Sequence, residues 1–209
     1  VTDPTTHSQP AVDPALVARV KGILVQPNAE WLRIDGEFAT TKTLFTRYAM
    51  ILAAIGPVAG LIGSLIFGDA SIIGALVVAL ISYGLSLAAV FVLGILINAL
   101  APSFGSTVDQ VQAMKVAVYA STAAWVAAIF DLIPVLSILS LIGAIYSLVL
   151  LFIGLPMLMK TPDDKKVVYY VVVLIAGLVL YAIIGAAIRA VTLSVAATTA
   201  GLAGTGAGY

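Results

Sequence analysis

Five long apolar blocks run through the chain, at about residues 48–67, 72–100, 116–130, 135–159 and 167–191, with short polar segments between them. A helix needs about 20 residues to cross the hydrocarbon of a bilayer, so each block predicts a membrane-spanning helix. The second is longer than it needs to be. It must tilt, extend past the lipid, or bend near Gly84 or Gly94. The third is the shortest and is expected to begin in water, with Asp109, Gln110 and Lys115. Ser106 and Asp109 have the spacing of a capping box for that helix. Gly68-Asp69 and Asp131-Leu132-Ile133-Pro134 read as tight turns, and Ala101-Pro102-Ser103 closes the second block. The segment from Lys160 to Lys166 is the most charged loop in the chain.

Ahead of the first block the period changes. Leu16, Val17, Val20, Ile23 and Leu24 recur at helical spacing, with Arg19 and Lys21 on another face. Pro14 suits a first helical turn and Pro27 opposes continuation. Asn28 can cap a second short helix holding Glu30, Trp31, Arg33 and Ile34, which Gly36 ends. Two settings suit the first helix: flat on an anionic membrane surface, or packed on the ends of the spans. Trp31 stands where an anchor at headgroup level would sit. The organisation expected is a disordered tail at 1–13, amphipathic interfacial helices at 14–47, a five-helix transmembrane domain at 48–195 and a flexible tail at 196–209.

Composition removes the soluble alternatives. The 209 residues are 62% apolar and 10% charged, where a soluble domain carries about 25% charged residues. The net charge is zero, which gives no case for a nucleic-acid partner. Cysteine is absent, so disulfides and thiol chemistry are excluded. Residues 1–15 lack the basic start and short apolar run of a signal peptide, and the first span is expected to serve as the insertion signal. The basic residues are unevenly placed. Arg19, Lys21, Arg33, Lys42 and Arg47 precede the first span, Lys115 follows the second, and Lys160, Lys165 and Lys166 follow the fourth. Nine of the ten thus share one side, and Arg189 alone falls on the other. Cationic loops stay in the cytoplasm. The fold expected is an all-α polytopic bundle of five transmembrane helices, N-terminus cytoplasmic and C-terminus outside.

Chemistry is sparse. The single histidine, His7, lies in the tail, so no Ser–His or His-ligated metal centre can form within the spans. The acids near the spans, Asp69, Asp109 and Asp131, fall at turns and ends. No catalytic residue, metal ligand or cofactor is expected. Asp131 sits in apolar surroundings and could pair with Arg189 on the outer side. Asn98, Ser82, Ser86, Thr122 and Ser137 suit interhelical hydrogen bonds or a polar track. Gly56, Gly60 and Gly63 place small residues on one face of the first span, where backbones can approach, within the chain or between copies. Pro57 is expected to bend that helix. The candidate surface contacts are Leu16, Arg19, Val20, Lys21, Ile23 and Trp31, with Lys160, Lys165 and Lys166.

Several segments resemble bacterial members of the Yip1 membrane-protein family: VKGILVQPNAEW and EFATTKTLFTRYAMILAAI at the entry to the first span, VAVYASTAAWVAAIFDLI in the third, and YSLVLLFIGLPMLMKTPDDKKVVYYVVVL across the fourth and fifth. The resemblance covers about residues 16–190, and GLPMLMKTPDDKK is its most specific part. It implies five spans with a cytosolic N-terminus. Eukaryotic members are associated with Rab GTPases and Golgi traffic and carry an Asp-Leu-Tyr-Gly-Pro element before the first span. Its nearest echo here, Asp131-Leu132-Ile133-Pro134, lies elsewhere, so that activity is not carried over. The expected role is a non-catalytic interaction protein of the inner membrane, a scaffold, assembly or membrane-organising component. The alternative is a small-solute permease or channel. Expected partners are membrane lipids and either another membrane protein or a second copy.

Overall fold

The computed structural model describes residues 14–68 and 71–206. The expected 1–13 tail and Asp69 lie outside them. Every regular element among the described residues is helical. Two short helices, α1 (Pro14–Val25) and α2 (Pro27–Gly36), precede five helices long and apolar enough to cross a membrane. These are α3 (Thr41–Phe67), α4 (Ile72–Phe104), α5 (Gln110–Leu132), α6 (Pro134–Leu158) and a fifth that spans Lys166–Thr198. The fifth, α7, continues without a break as Lys166–Gly206. The helix thus continues into the segment expected as a flexible tail from 196. Alanine has the highest helix propensity.

The third span is the centre of the bundle. Within its most apolar stretch 72% of residues are buried, against 11% in α7. Helices α3, α4 and α6 surround α5, and α7 packs chiefly on α4. Small residues bring the backbones together. A Cβ on Gly143 would overlap Ala127, and one on Gly94 would overlap Met114. The α5 helix is interrupted at Ser121, and the N–H of Ala124 finds the Ser147 hydroxyl of α6 at 2.9 Å. A backbone donor freed inside a membrane must find such a partner. Tyr169 of α7 stacks on Phe104 at 4.8 Å and donates its hydroxyl proton to the Ile97 carbonyl of α4.

The first span restarts rather than bends smoothly. Five residues, Phe45–Ala49, form a wide π turn, and the helix breaks at Ala54 and resumes over Ile55–Phe67. Pro57 then lies in the first turn of the resumed helix, where a missing N–H is harmless. The start of the third span also differs from expectation. Asp109 alone is the cap, accepting from the N–H groups of Val111 at 2.9 Å and Gln112 at 3.0 Å. Ser106 instead donates to Thr161 at 2.9 Å, tying the loop after α4 to the loop after α6.

The largest departure concerns α1 and α2. They pack on protein, along the half of α5 and α6 that lies on the Lys160 side. They form an antiparallel hairpin standing lengthwise beside α5 and α6. Three contacts fix its direction. The Leu24 carbonyl accepts from the Tyr146 hydroxyl at 2.9 Å, Trp31 packs on Gly154, and Asp35 pairs with Lys160. At 1.5 Å per residue, the hairpin tip lies roughly 20 Å along α6 from Lys160. Tyr146 is near the midpoint of that span. The apolar stripe of Ile23, Trp31 and Ile34 is fully buried against the spans, which is the use the sequence periodicity left open.

Candidate functional site

The hairpin is held by an ionic network on its inner side. Glu30, only 5% exposed, is paired with Arg19 and lies 3.3 Å from Arg33. Arg19 also forks onto both carboxylate oxygens of Glu37. Gly22 makes room for this: a Cβ there would stand 2.6 Å from the Glu30 carboxyl carbon. The Arg33 side chain is 72% exposed, so its pairing is screened and worth less than about 1 kcal/mol. The Arg19–Glu30 pair is the one that must be kept. Burial disfavours the Arg19 guanidinium, but the hydrogen bond and charge of Glu37, with Tyr119 and Glu30, outweigh it and raise its pKa. The Arg19 guanidinium also stands 5.6 Å over the Tyr119 ring, a cation–π contact.

Beneath that network lies an aromatic chain. Trp31 meets Tyr119 edge-on at 6.4 Å, and Tyr119 meets Tyr48 at 4.8 Å. The Tyr48 hydroxyl is 2.8 Å from that of Thr122. Trp31 fits because Gly154 has no side chain; a Cβ there would overlap the indole. Its Nε1 is buried with no hydrogen-bond partner.

The far end of α2 is anchored by Lys115, which the sequence placed in water. It is 3% exposed, and its Nζ donates to the carbonyls of Ile34 at 2.8 Å and Glu37 at 2.6 Å. A cation at a helix C-terminus satisfies orphan carbonyls and the negative end of the helix dipole. Gln112 donates to the Asp35 carbonyl at 3.2 Å, and Lys160 pairs with the Asp35 carboxylate. Lys160 itself has φ +51°, a left-handed residue that ends α6. The bond from the Thr161 N–H to the Pro156 carbonyl, at 3.1 Å, closes that turn.

The expected contact residues therefore divide. Leu16, Ile23 and Trp31 are buried in the bundle and present nothing outward; in particular, Trp31 is not a headgroup anchor. Arg19 and Lys160 are engaged in internal ion pairs. Val20 is half-buried, Lys166 pairs with Asp163 at 3.0 Å, and Lys21 and Lys165 are exposed. The exposed residues of the hairpin include Val17, Lys21, Val25, Leu32 and Arg33, and Phe38 at its exit is 96% exposed. Sequence reasoning passed over Lys115, Glu30, Gly22 and Gly154. A lone lysine between Met114 and Val116, inside an uncharged run, was the available signal for the first.

At the opposite end Gly56 and Gly63 pack within the chain. A Cβ on Gly56 would meet Ala128 at 3.2 Å, and one on Gly63 would meet the Leu132 carbonyl at 2.7 Å. Gly60 faces open space and lines a cleft of about 660 Å³ between α3, α4 and α7. Asp131 lines the same cleft, but no ion pair joins it to Arg189, which is exposed. The expected outer pair does not form among the described residues: Arg189 is exposed and is not among the residues that line the cleft.

A five-helix bundle with a hairpin docked along it defines a polytopic α-helical membrane protein. Residues 21–184 match the Yip1 domain, and the chain belongs to the Yip1 family. It is similar to the inner membrane protein YohC of Escherichia coli strain K12, with 26% identity over 161 residues, covering 71% of this chain and 83% of that one. The same likeness holds for YohC of Escherichia coli O6:H1. No solved structure matches the chain.

Proposed function

We propose that this protein is a non-catalytic interaction protein of a bacterial inner membrane, with its N-terminus in the cytoplasm, and that it works through the outward face of the α1–α2 hairpin. The observation that carries this reading is the division of the hairpin's residues. Its inner side is committed to ion pairs and aromatic packing, while Val17, Lys21, Val25 and Leu32 are exposed and Arg33, also exposed, makes only a screened pair with Glu30. An apolar face set with basic residues, held rigidly beside the spans, suits a second membrane protein or anionic lipid. The name of the YohC relative supports the inner membrane, and the basic residues on the side of the hairpin support the orientation. A scaffold or assembly role follows from a surface with no reactive group on it.

A photocrosslinker at Val17 or Leu32, compared with one at lipid-facing Ile183, tests the reading in cells. The expected result is a discrete protein or lipid adduct at the hairpin positions that is absent at Ile183 and that Lys21→Glu weakens when the crosslinker is at Leu32. Equal labelling at all three positions would sink it, and a C-terminal reporter active in the cytoplasm would sink the orientation. One observation favours the permease alternative: the cleft between α3, α4 and α7, which carries hydroxyl groups. Flux of a solute by purified protein in liposomes would move that reading ahead.

A further inference from the structure

The cleft has three properties that together specify a ligand. Its volume, about 660 Å³, falls in the range of small-molecule pockets and far exceeds what a bare ion fills. Its walls are mostly aliphatic carbon and glycine, from residues such as Leu61, Ala75 and Val78. Among the described residues Asp131 is the only ionisable side chain lining it, and its carboxylate is hydrogen-bonded by Ser140 but paired with no basic residue. Two hydroxyls add to this. Ser82 and Ser86, one helical turn apart on α4, line the cleft and have no hydrogen-bond partner. Thr192, which also lines the cleft, bonds back to the carbonyl four residues earlier at 3.0 Å, as Ser194 does outside it at 2.9 Å. The cleft exists because α3 and α7 both pack on α4 far more than on each other. Its Ser71 and Ser64 end opens at the outer side of the bundle, where the first span ends and the second begins.

We infer that this cleft binds an organic ammonium: a protonated amine whose N–H groups meet Asp131 and the free serine hydroxyls while its hydrocarbon body lies against α3 and α4. The negative charge selects a cation, and the lone pairs that Asp131 keeps beyond its Ser140 bond, with the two serine hydroxyls, select one that donates hydrogen bonds. The apolar walls select a carbon skeleton over a hydrated ion. The same chemistry is carried by a free aliphatic amine and by the headgroup of an ethanolamine lipid.

Purified full-length protein in nonionic maltoside micelles is titrated with radiolabelled hexylamine by equilibrium dialysis, with hexan-1-ol as the neutral competitor. Native mass spectrometry of the same preparation reads retained phosphatidylethanolamine. The expected result is saturable binding of one amine per chain, weakened roughly ten- to hundredfold in Asp131→Asn and not displaced by the alcohol. A second variant, Gly60→Leu, projects into the cleft from a position where a Cβ meets nothing within 4 Å, and it is expected to abolish binding. It serves equally if Asp131→Asn fails to fold. Phosphatidylethanolamine retained by the native protein, lost from a variant and displaced by hexylamine assigns the lipid as the source. Amine binding without retained lipid assigns a free solute. Binding unchanged in the variants, binding matched by hexan-1-ol, or no binding of either amine overturns the inference.

Discussion

Lys115→Met is the sharpest probe of how the hairpin is held. Methionine keeps the unbranched stem between α5 and α2 but removes the ammonium that caps the Ile34 and Glu37 carbonyls at 2.8 and 2.6 Å. A hydrogen bond to a charged group contributes about 1.5–3 kcal/mol, so the two together are worth roughly 3–6 kcal/mol before the burial of the ammonium is counted. Methionine escapes that burial cost, which is several kcal/mol for an isolated ion and less here, because the lysine is already satisfied. The net loss expected is about 2–3 kcal/mol, and it falls on the docking of α2 rather than on the five spans. Hydrogen exchange in micelles reads this directly. At 1.36 kcal/mol per factor of ten, the amides of α2 should exchange roughly 30- to 150-fold faster, while those at the centre of α5 stay unchanged. Exchange in α2 within twofold of the native rate would show that Lys115 is a passenger. Uniform acceleration across all spans would show that it supports the bundle and not the hairpin.

Three further outcomes follow from the packing. Trp31→Ala empties a fully buried site and should cost about 3–5 kcal/mol; Gly154→Val, which pushes the same indole out, should reproduce its protease sensitivity at residues 14–36. Asp109→Ala removes the cap of α5 and should cost about 1 kcal/mol, seen as faster exchange at Val111 and Gln112 alone. Arg189→Gln should leave the thermal midpoint in detergent unchanged, since no ion pair reaches it; a fall equal to that of Asp131→Asn would restore the outer pair.

The spans were legible because hydrophobic length in a bilayer is a hard physical constraint. The apolar block at 135–159 corresponds to Pro134–Leu158, and that at 72–100 to the regular part of Ile72–Phe104. The hairpin was half legible. The spacing of Leu16, Val17, Val20, Ile23 and Leu24 marked an apolar face of α1, of which Val17 is in fact exposed, and periodicity does not say what the rest is buried against. Water, lipid and protein all accept an amphipathic helix. The choice was made by Gly22 and Gly154, which read in the sequence as two glycines among 18. Their meaning is steric and appears only when Glu30 and Trp31 occupy the space. Charge counting likewise put Lys115 on the correct side of the bundle and in the wrong environment, because it registers sidedness and not burial.

The centre of the bundle follows a rule opposite to that of a soluble core. The third block is the shortest and least apolar of the five, yet α5 is the most buried span, while the most apolar, α7, is the least. Lipid removes the ordinary reason for burying carbon, since acyl chains solvate leucine as well as another helix does. What must be buried is whatever lipid cannot satisfy. Helix α5 carries Lys115, Gln112, Tyr119, Thr122 and the N–H freed at Ala124, and each meets a group from the hairpin, α3 or α6. The hairpin supplies the carbonyls and acids that the half of α5 beginning at Gln110 needs. Its docking is thus a condition for that half of α5 to lie within the membrane, and the fold and the proposed interaction surface depend on the same contacts.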